Sequence, residues 1–340
     1  MANLDTSTRQ VALAATEVDE KPKKRKLSVS SLWKSVGPLT IFIVVFALVS
    51  TLNPAFIAGG GLGIVATISA PILMVALGQA MVLHVGSIDL SNAALGLLGA
   101  ILLALALPVF GVVSPLLILL ITTIFGAVNG FFVAYTKVPS FALTLGTLGV
   151  FQSAALVFSD ATAVYVSNNR DFLGHLHTTK LAGAPASFFL GVGLAGLLWL
   201  ILRFTRLGRG MTAVGMNETG AVYSGIRNKL LKVAAFSFSG LMSGFAALVI
   251  IGQAGSASPN GLGSDLLLPG IAAAIVGGTS ILGGTTNPIN VIFGALTVSM
   301  IPIANAALGV NAQAQSLVYG VAIIVIAALM LNSSRSGIVK

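Results

Sequence analysis

Long apolar stretches, broken by short polar or glycine-rich segments, occupy the chain from about residue 36 to residue 331. A helix needs about 20 apolar residues to cross a bilayer, and somewhat fewer where it breaks inside the protein. On that measure ten segments are predicted to span: 37–52, 62–83, 90–108, 112–136, 140–158, 187–203, 232–252, 266–281, 288–308 and 313–331. Three longer polar segments separate them, at 159–186, 203–232 and 253–265. Each half of the chain also holds a glycine-interrupted apolar segment, HVGSIDLSNAALG at 84–96 and VGGTSILGGTTN at 276–287. Paired interruptions in two halves point to structural repeats with discontinuous helices.

Composition agrees with this pattern. Of 340 residues, 56% are apolar and 8% charged, against about a quarter charged in soluble domains, and the mean hydropathy is +1.00. The expected fold is therefore an all-α polytopic membrane protein, with about ten transmembrane helices over residues 35–332. Thirty-nine glycines suit a bundle in which small residues let backbones approach closely. The chain has no cysteine, which excludes disulfides and thiolate-held metals.

Charge placement orients the spans. Residues 1–34 are polar and include the basic run Lys21, Lys23, Lys24, Arg25, Lys26. The apolar stretch that follows continues to about Leu52, too long for the apolar core of a cleaved signal. Residues 1–34 are expected to form a disordered cytoplasmic tail whose basic run lies against anionic membrane lipid. With that tail inside and ten alternating spans, the cytoplasmic Lys and Arg are seven in the tail, Lys137, six from Arg203 to Lys232 and two in the C-terminal tail 333–340. Those make sixteen of eighteen, with only Arg170 and Lys180 outside, the asymmetry that the positive-inside rule requires. The net charge of +9 is thus explained by cytoplasmic segments, without a nucleic-acid partner. Both termini are expected to be cytoplasmic, 159–186 extracytoplasmic and 203–232 cytoplasmic.

The cytoplasmic segment holds the most distinctive pattern. Small residues at Ala213, Gly215, Ala221 and Gly225 leave room for a partner surface. Asn217 before Glu218 can cap a short amphipathic helix over 217–225, with the carboxylate in its first turn. The plain alternative is an ordinary loop anchored by arginines that face lipid. Asp89 lies at a predicted inner boundary with apolar sequence on both sides. It reads either as an N-cap for the third span, accepting the N–H of Ser91 or Asn92, or as a polar element near a permeation path; the boundary position favours the cap. Uncharged polar residues within spans, among them Gln79, Asn129, Thr144 and Asn305, suit a path for a hydroxylated solute and equally well serve as interhelical hydrogen bonds. Together with Asp89 these form the candidate translocation path. His175 and His177 alternate in what reads as an extended loop with no third ligand evident, so no metal site is assigned. The metalloprotease H-E-x-x-H and the G-x-S-x-G elbow are both absent, as is any Gly-Lys dipeptide for a phosphate-binding loop. No catalytic residues are assigned, and any energy source lies in another chain.

Four segments together resemble one family. GMNETGAVYSGI (215–226) is similar to the G-x-N-x-x-A-A-x-x-S-G-I signature of ABC importer permeases of the ribose and autoinducer-2 class. IDLSNAA (88–94), TKVPSFALTLGTLGVFQS (136–153) and IAAAIVGGTSILGGTTN (271–287) resemble further segments of that family, in the same order. The chain departs from the family pattern at Ser87, Asn92-Ala93, Gly220 and Thr286-Asn287. The resemblance covers about residues 36–331 and implies the type II ABC importer fold, placed multi-pass in a bacterial cytoplasmic (inner) membrane. It further implies a second permease copy as homo- or heterodimer partner and a periplasmic or lipid-anchored sugar-binding protein. A cytoplasmic ABC ATPase would bind the ATP and magnesium, leaving this chain without a cofactor. The ATPase-coupling residues would be Gly215, Asn217, Glu218, Ala221, Ser224, Gly225 and Ile226, and the solute a monosaccharide such as a pentose.

Two other classes are weighed against this. An ion-coupled secondary transporter of a small polar solute usually needs a mid-membrane carboxylate or a sodium site, which Asp89 at a boundary serves poorly. An intramembrane enzyme needs a convergent nucleophile and base within the spans, and the sequence offers no such pair. The charge asymmetry makes a direct prediction: a cysteine at Ser167 is labelled by an impermeant reagent on intact cells, and one at Thr219 is not. Reversed labelling refutes the orientation.

Overall fold

The computed structural model describes residues 29–324 apart from 59, 137, 260–264, 312–313 and 322. The chain divides into two units, residues 1–36 and 37–340. The expected tail up to residue 28 and the C-terminal tail 333–340 lie outside the described residues. Helix α1 (Val29–Leu52) starts before the predicted first span, so residues 29–34, expected as tail, are helical.

The second unit continues through α2 (Pro54–Ala58), α3 (Gly61–His84), α4 (Asn92–Phe110), α5 (Ser114–Tyr135) and α6 (Ser140–Phe158). After β1 (Val164–Tyr165), α7 (Asp171–Thr178), β2 (Lys180–Leu181) and β3 (Ala184–Pro185) comes α8 (Ala186–Phe204). Then follow α9 (Arg206–Met216), α10 (Glu218–Tyr223), α11 (Asn228–Ala254), β4 (Ser256–Ala257), α12 (Leu267–Val276) and α13 (Pro288–Ala307). Among the described residues six stretches are long and apolar enough to cross a membrane, and one of them, Asn92–Tyr135, contains both α4 and α5. The protein is an all-α polytopic membrane protein.

Two predicted spans differ in form. The segment expected over 266–281 is helical only as α12, ten residues long. At 1.5 Å per residue that is about 15 Å, half the hydrocarbon thickness. The helix stops at Gly277, and Gly278 follows with φ +84°, a left-handed conformation that glycine adopts without steric cost. The tenth segment, 313–331, is described only in part, with helix over 315–321.

Helix α3 is buried from Ser69 to His84 on every side, as expected of a helix that is apolar all round and sits at the centre of a bundle. It packs against α11, α12 and α13, and α11 in turn crosses α5 and α4. Glycine makes these crossings close: a Cβ on Gly126 of α5 would come 2.9 Å from the Gly240 Cα of α11, and one on Gly78 of α3 would come 3.1 Å from the Ser239 Cα. In hydrocarbon such contacts replace the hydrophobic effect as the force that holds helices together.

The segment expected as a simple loop at 159–186 is structured. β1 pairs antiparallel with β4, Val164 opposite Ala257, and β2 forms a hairpin with β3. His175 and His177 lie in α7 and not in extended chain; two positions apart on a helix they do not share a face.

The crossing predicts an asymmetry among glycines. Gly240→Ala overpacks the α5–α11 contact, costs about 1–3 kcal/mol and lowers the thermal midpoint of the purified chain. Gly146→Ala, where an added Cβ meets nothing within 4 Å, leaves it unchanged.

Candidate functional site

Between α3 and α4 the chain leaves the helix for residues 85–91, turning through Gly86 at φ +73°. Gly86 and Ser87 N–H groups bond back to Leu83 O and Val82 O, and side chains of α6 take two more of the segment's N–H groups. Ile88 N–H donates to Ser140 Oγ and Leu90 N–H to Thr144 Oγ1, each at 3.0 Å. Asp89 is 2% exposed. Its Oδ1 accepts the Ser91 N–H at 2.9 Å and the Ser91 hydroxyl at 2.7 Å, and its Oδ2 accepts the Ser239 hydroxyl of α11 at 2.8 Å. Asn129 of α5 donates to Ser91 Oγ and to Thr147 Oγ1. Ser91, not Asp89, occupies the N-cap position of α4, and Asp89 orders the turn before it while tying that turn to α11. Asn92 Nδ2 donates to Val75 O at 3.2 Å. Val75 lies nine residues above the end of α3, about 13 Å at 1.5 Å per residue. The chain therefore turns back into the bilayer before α4 begins.

The polar segment after α8 forms two helices. Thr205 caps α9 by accepting the Gly208 N–H at 3.1 Å, and Met211 and Val214 bury its apolar face. Asn217 caps α10 through the Gly220 N–H at 2.9 Å. Glu218 pairs with Lys232 at 2.7 Å and accepts from Asn228 Nδ2 at 2.9 Å, fastening α10 to the start of α11. Partial burial raises the Glu218 pKa, but the hydrogen bond and charge of Lys232, with Asn228, outweigh it and leave the carboxyl below its ordinary value. Gly225 ends α10 at φ +76°. The Ile226 N–H bonds to Ala221 O and the Gly225 N–H to Val222 O, each at 3.0 Å, a pairing that requires a left-handed residue at this position. Ala221 is buried, whereas Val222 and Tyr223 are exposed. Ser224 Oγ donates back to Gly220 O.

The two interrupted segments and the end of α9 meet at one point. The Gly284 N–H donates to His84 O at 2.9 Å. Gly215 lies so close to both that a Cβ there would collide with the His84 carbonyl and the Gly284 nitrogen. A Cβ on Gly283 would come 2.6 Å from Gly215 O and 3.0 Å from Gly86 Cα. His84 Nε2 also hydrogen-bonds Thr212 Oγ1 of α9 at 3.0 Å. Beyond this contact, Thr279 and Thr286 hydroxyls bond at 2.7 Å, and Asn287 caps α13 by accepting the Ile289 N–H. A displacement of α9 and α10 must therefore move against both 84–86 and 283–284.

A cavity of about 490 Å³ opens among α3, α4, α6, the end of α11, the start of α12 and the helical residues 315–319. Its polar lining includes Thr67, Gln152, Gln253, Asp265, Gln315 and Tyr319. Gln253 donates to Thr67 O, and Gln315 donates to Tyr319 Oη. Of the sequence candidates, Asp89, Asn129 and Thr144 come together in the buried network at 85–91. Gln79 and Asn305 do not join it: both are buried, and neither amide nitrogen has a hydrogen-bond partner among the described residues. None of these five lines the cavity. Gln253 and Gln315 were missed because they lie at or beyond the ends of apolar runs, where polarity is ordinary.

Residues 61–327 match the family described as branched-chain amino acid transport system / permease component. The chain belongs to this family of permeases. It is 31% identical to the ribose import permease of Haemophilus influenzae over 83% of this chain and 88% of that protein. Identity is also 31% to the D-allose transport system permease of Escherichia coli, over 91% and 95%. With the autoinducer 2 import system permease of Photorhabdus luminescens it is 28%, over 79% and 81%. No solved structure matches. The chain is the membrane permease of a binding-protein-dependent ABC importer and is not itself catalytic. Its departures from the family pattern fall at structural junctions of the permease. Asn92 bridges α4 to Val75 O, Ala93 lines the cavity, and Thr286 and Asn287 brace the second interruption.

The Asp89 network yields a coupled prediction. Asp89→Ala leaves buried donors unmatched and lowers folded yield, at about 1–3 kcal/mol, while Asp89→Asn retains most transport. Asp89→Ala and Ser239→Ala combined cost less than the sum of the singles, by about 0.5–3 kcal/mol in a double-mutant cycle. Additive effects contradict the direct bond.

Proposed function

We propose that this permease conducts a monosaccharide, a pentose or a similar small polyol, and that residues 213–226 are the seat of its ATPase. The observation that carries the coupling assignment is the contact of Gly215 with His84 and Gly284, which joins an exposed helix to two breaks in the membrane core. The solute class is supported by the cavity, whose glutamines, threonine and tyrosine exchange hydrogen bonds with hydroxyls without the slow release that paired charges impose. It is supported also by the relatives, permeases for ribose, allose and autoinducer 2.

In this scheme a periplasmic or lipid-anchored binding protein delivers the solute to the cavity. A second permease copy completes the path, and a cytoplasmic ATPase holding ATP and magnesium grips α10. Asn217, Glu218, Ser224 and Gly225 fix the shape of the peg, and Ala221 and Ile226 pack it against the permease. Gly215 passes the displacement inward. The termini and α10 share the cytoplasmic side. Asp89, Asn129 and Thr144 serve the path by holding residues 85–91 in place.

Two substitutions separate grip from transmission. Ala221→Glu buries an unpaired charge and abolishes ATPase co-purification. Gly215→Ala keeps the ATPase bound but lowers ATP-driven sugar uptake in proteoliposomes by ~10-fold or more, equivalent to about 1.4 kcal/mol. Lys180→Glu on the β2–β3 hairpin leaves co-purification unchanged. Full uptake in both α9–α10 variants refutes the assignment, and uptake driven by an ion gradient without ATP refutes the importer reading.

A further inference from the structure

Beside α10 lies a second concave site, an open groove of about 490 Å³ between α9 and the start of α11. Arg206, Arg209 and Arg227 line it together with Leu207, Leu230 and Leu231, and among the described residues no acidic side chain does. The cations of this end are unequally engaged. Among the described residues, Lys229 stacks on the Tyr135 ring and Lys232 pairs with Glu218. The Arg209 guanidinium reaches only the Phe204 carbonyl, at 3.4 Å, and no side-chain hydrogen bond or ion pair joins Arg206 or Arg227 to another described residue.

The depth of the groove selects its occupant. Arg206 follows the end of α8 at Phe204 by two residues, and Arg227 immediately precedes α11. These are the points where two spans leave the hydrocarbon, so the guanidiniums sit at headgroup level. Leu230 and Leu231 belong to the first turn of α11 and lie on the hydrocarbon side of them. Guanidiniums above a leucine wall match an anionic headgroup above its acyl chain. A guanidinium also binds phosphate oxygens bidentately, which an ammonium cannot do. Exposed Phe204 extends the apolar wall toward lipid.

We infer that the α9–α11 groove binds one anionic phospholipid, its phosphate held by Arg206, Arg209 and Arg227 and its acyl chain lying along Leu230 and Leu231. The site does not depend on which leaflet this end faces, nor on the role given to α10. Because α9 also carries Thr212 and Gly215, the lipid would brace the helix that reaches the core.

Native mass spectrometry of the full-length chain, titrated with phosphatidylglycerol or phosphatidylethanolamine, tests it. The chain is expected to bind phosphatidylglycerol in preference to phosphatidylethanolamine. Arg206→Gln/Arg227→Gln should weaken that binding about fivefold per arginine, Arg206→Lys/Arg227→Lys less, and Lys23→Gln/Lys24→Gln in the tail should leave this site unaffected. Independently of any variant, a photoactivatable phosphatidylglycerol in vesicles should crosslink to peptides within residues 206–231. Equal binding of the two lipids, unchanged affinity in the Gln pair, or crosslinks confined elsewhere overturns the inference. So does loss of ATPase co-purification in the Gln pair with phosphatidylglycerol binding intact, which would give the groove to a protein partner.

Discussion

A backbone that leaves the helix inside a bilayer must find its hydrogen bonds within the protein, because hydrocarbon offers none and each unmet group costs several kcal/mol. Among the described residues this permease leaves the helix at 85–91 and at 277–287, and the arrangement of its neighbours follows from meeting that demand. At the first break Gly86 and Ser87 bond back to the end of α3, Ser140 and Thr144 of α6 take further backbone N–H groups, and Asp89 gathers Ser91 and Ser239. At the second, the backbone partly satisfies itself through a turn in which the Ser280 N–H donates to Thr285 O. The Gly284 N–H then reaches across to His84 O, so the two breaks also satisfy each other.

The same demand fixes what each element can do. Asp89 at a membrane-embedded turn resembles an ion-coupling carboxylate, yet its two oxygens are occupied by two hydroxyls and an N–H. The chain is free to move only as a block where these bonds hold, and at the edges of the block where they end. Large motions in transporters take the form of rigid pieces that rock or slide. In the proposed scheme the block is α9, α10 and the two breaks, which meet at Gly215, His84 and Gly284, and the cavity lies outside it.

Much of this was legible from the residues. The spans at 62–83 and 232–252 became α3 and α11 with ends moved by a few residues, because hydropathy averaged over about 20 positions is a strong signal. Asn217 was recognisable as a cap because an N-cap needs only local geometry. The glycines of 276–287 marked a break in this half of the chain, but the span expected over 266–281 overran α12, because averaged hydropathy does not register where Gly277 and Gly278 end the helix. Nor was the meeting of residues 84, 215 and 284 legible, since they are far apart in sequence and joined through glycines with no side chain to signal a contact. Thr144 stood out as a polar residue within a span, but Ser140 and Ser239 read as ordinary helix hydroxyls until the segment they serve is seen beside them. Gln152 was visible as a polar residue within a span, but the cavity as a whole was not, because its lining comes from seven segments scattered along the chain.

In the proposed scheme α10 and the two breaks move as one body while the cavity changes shape around them. Spin labels at Val222 and Leu282, both exposed, report distances within the body, and labels at Leu148 and Leu268 report across the cavity they line. Pulsed electron resonance on the assembled importer, nucleotide-free and ATP-trapped, gives both distances in each state. The 222–282 distance is predicted to stay constant while the 148–268 distance shifts. A 222–282 distance that changes with nucleotide, with the cavity distance fixed, would contradict the account.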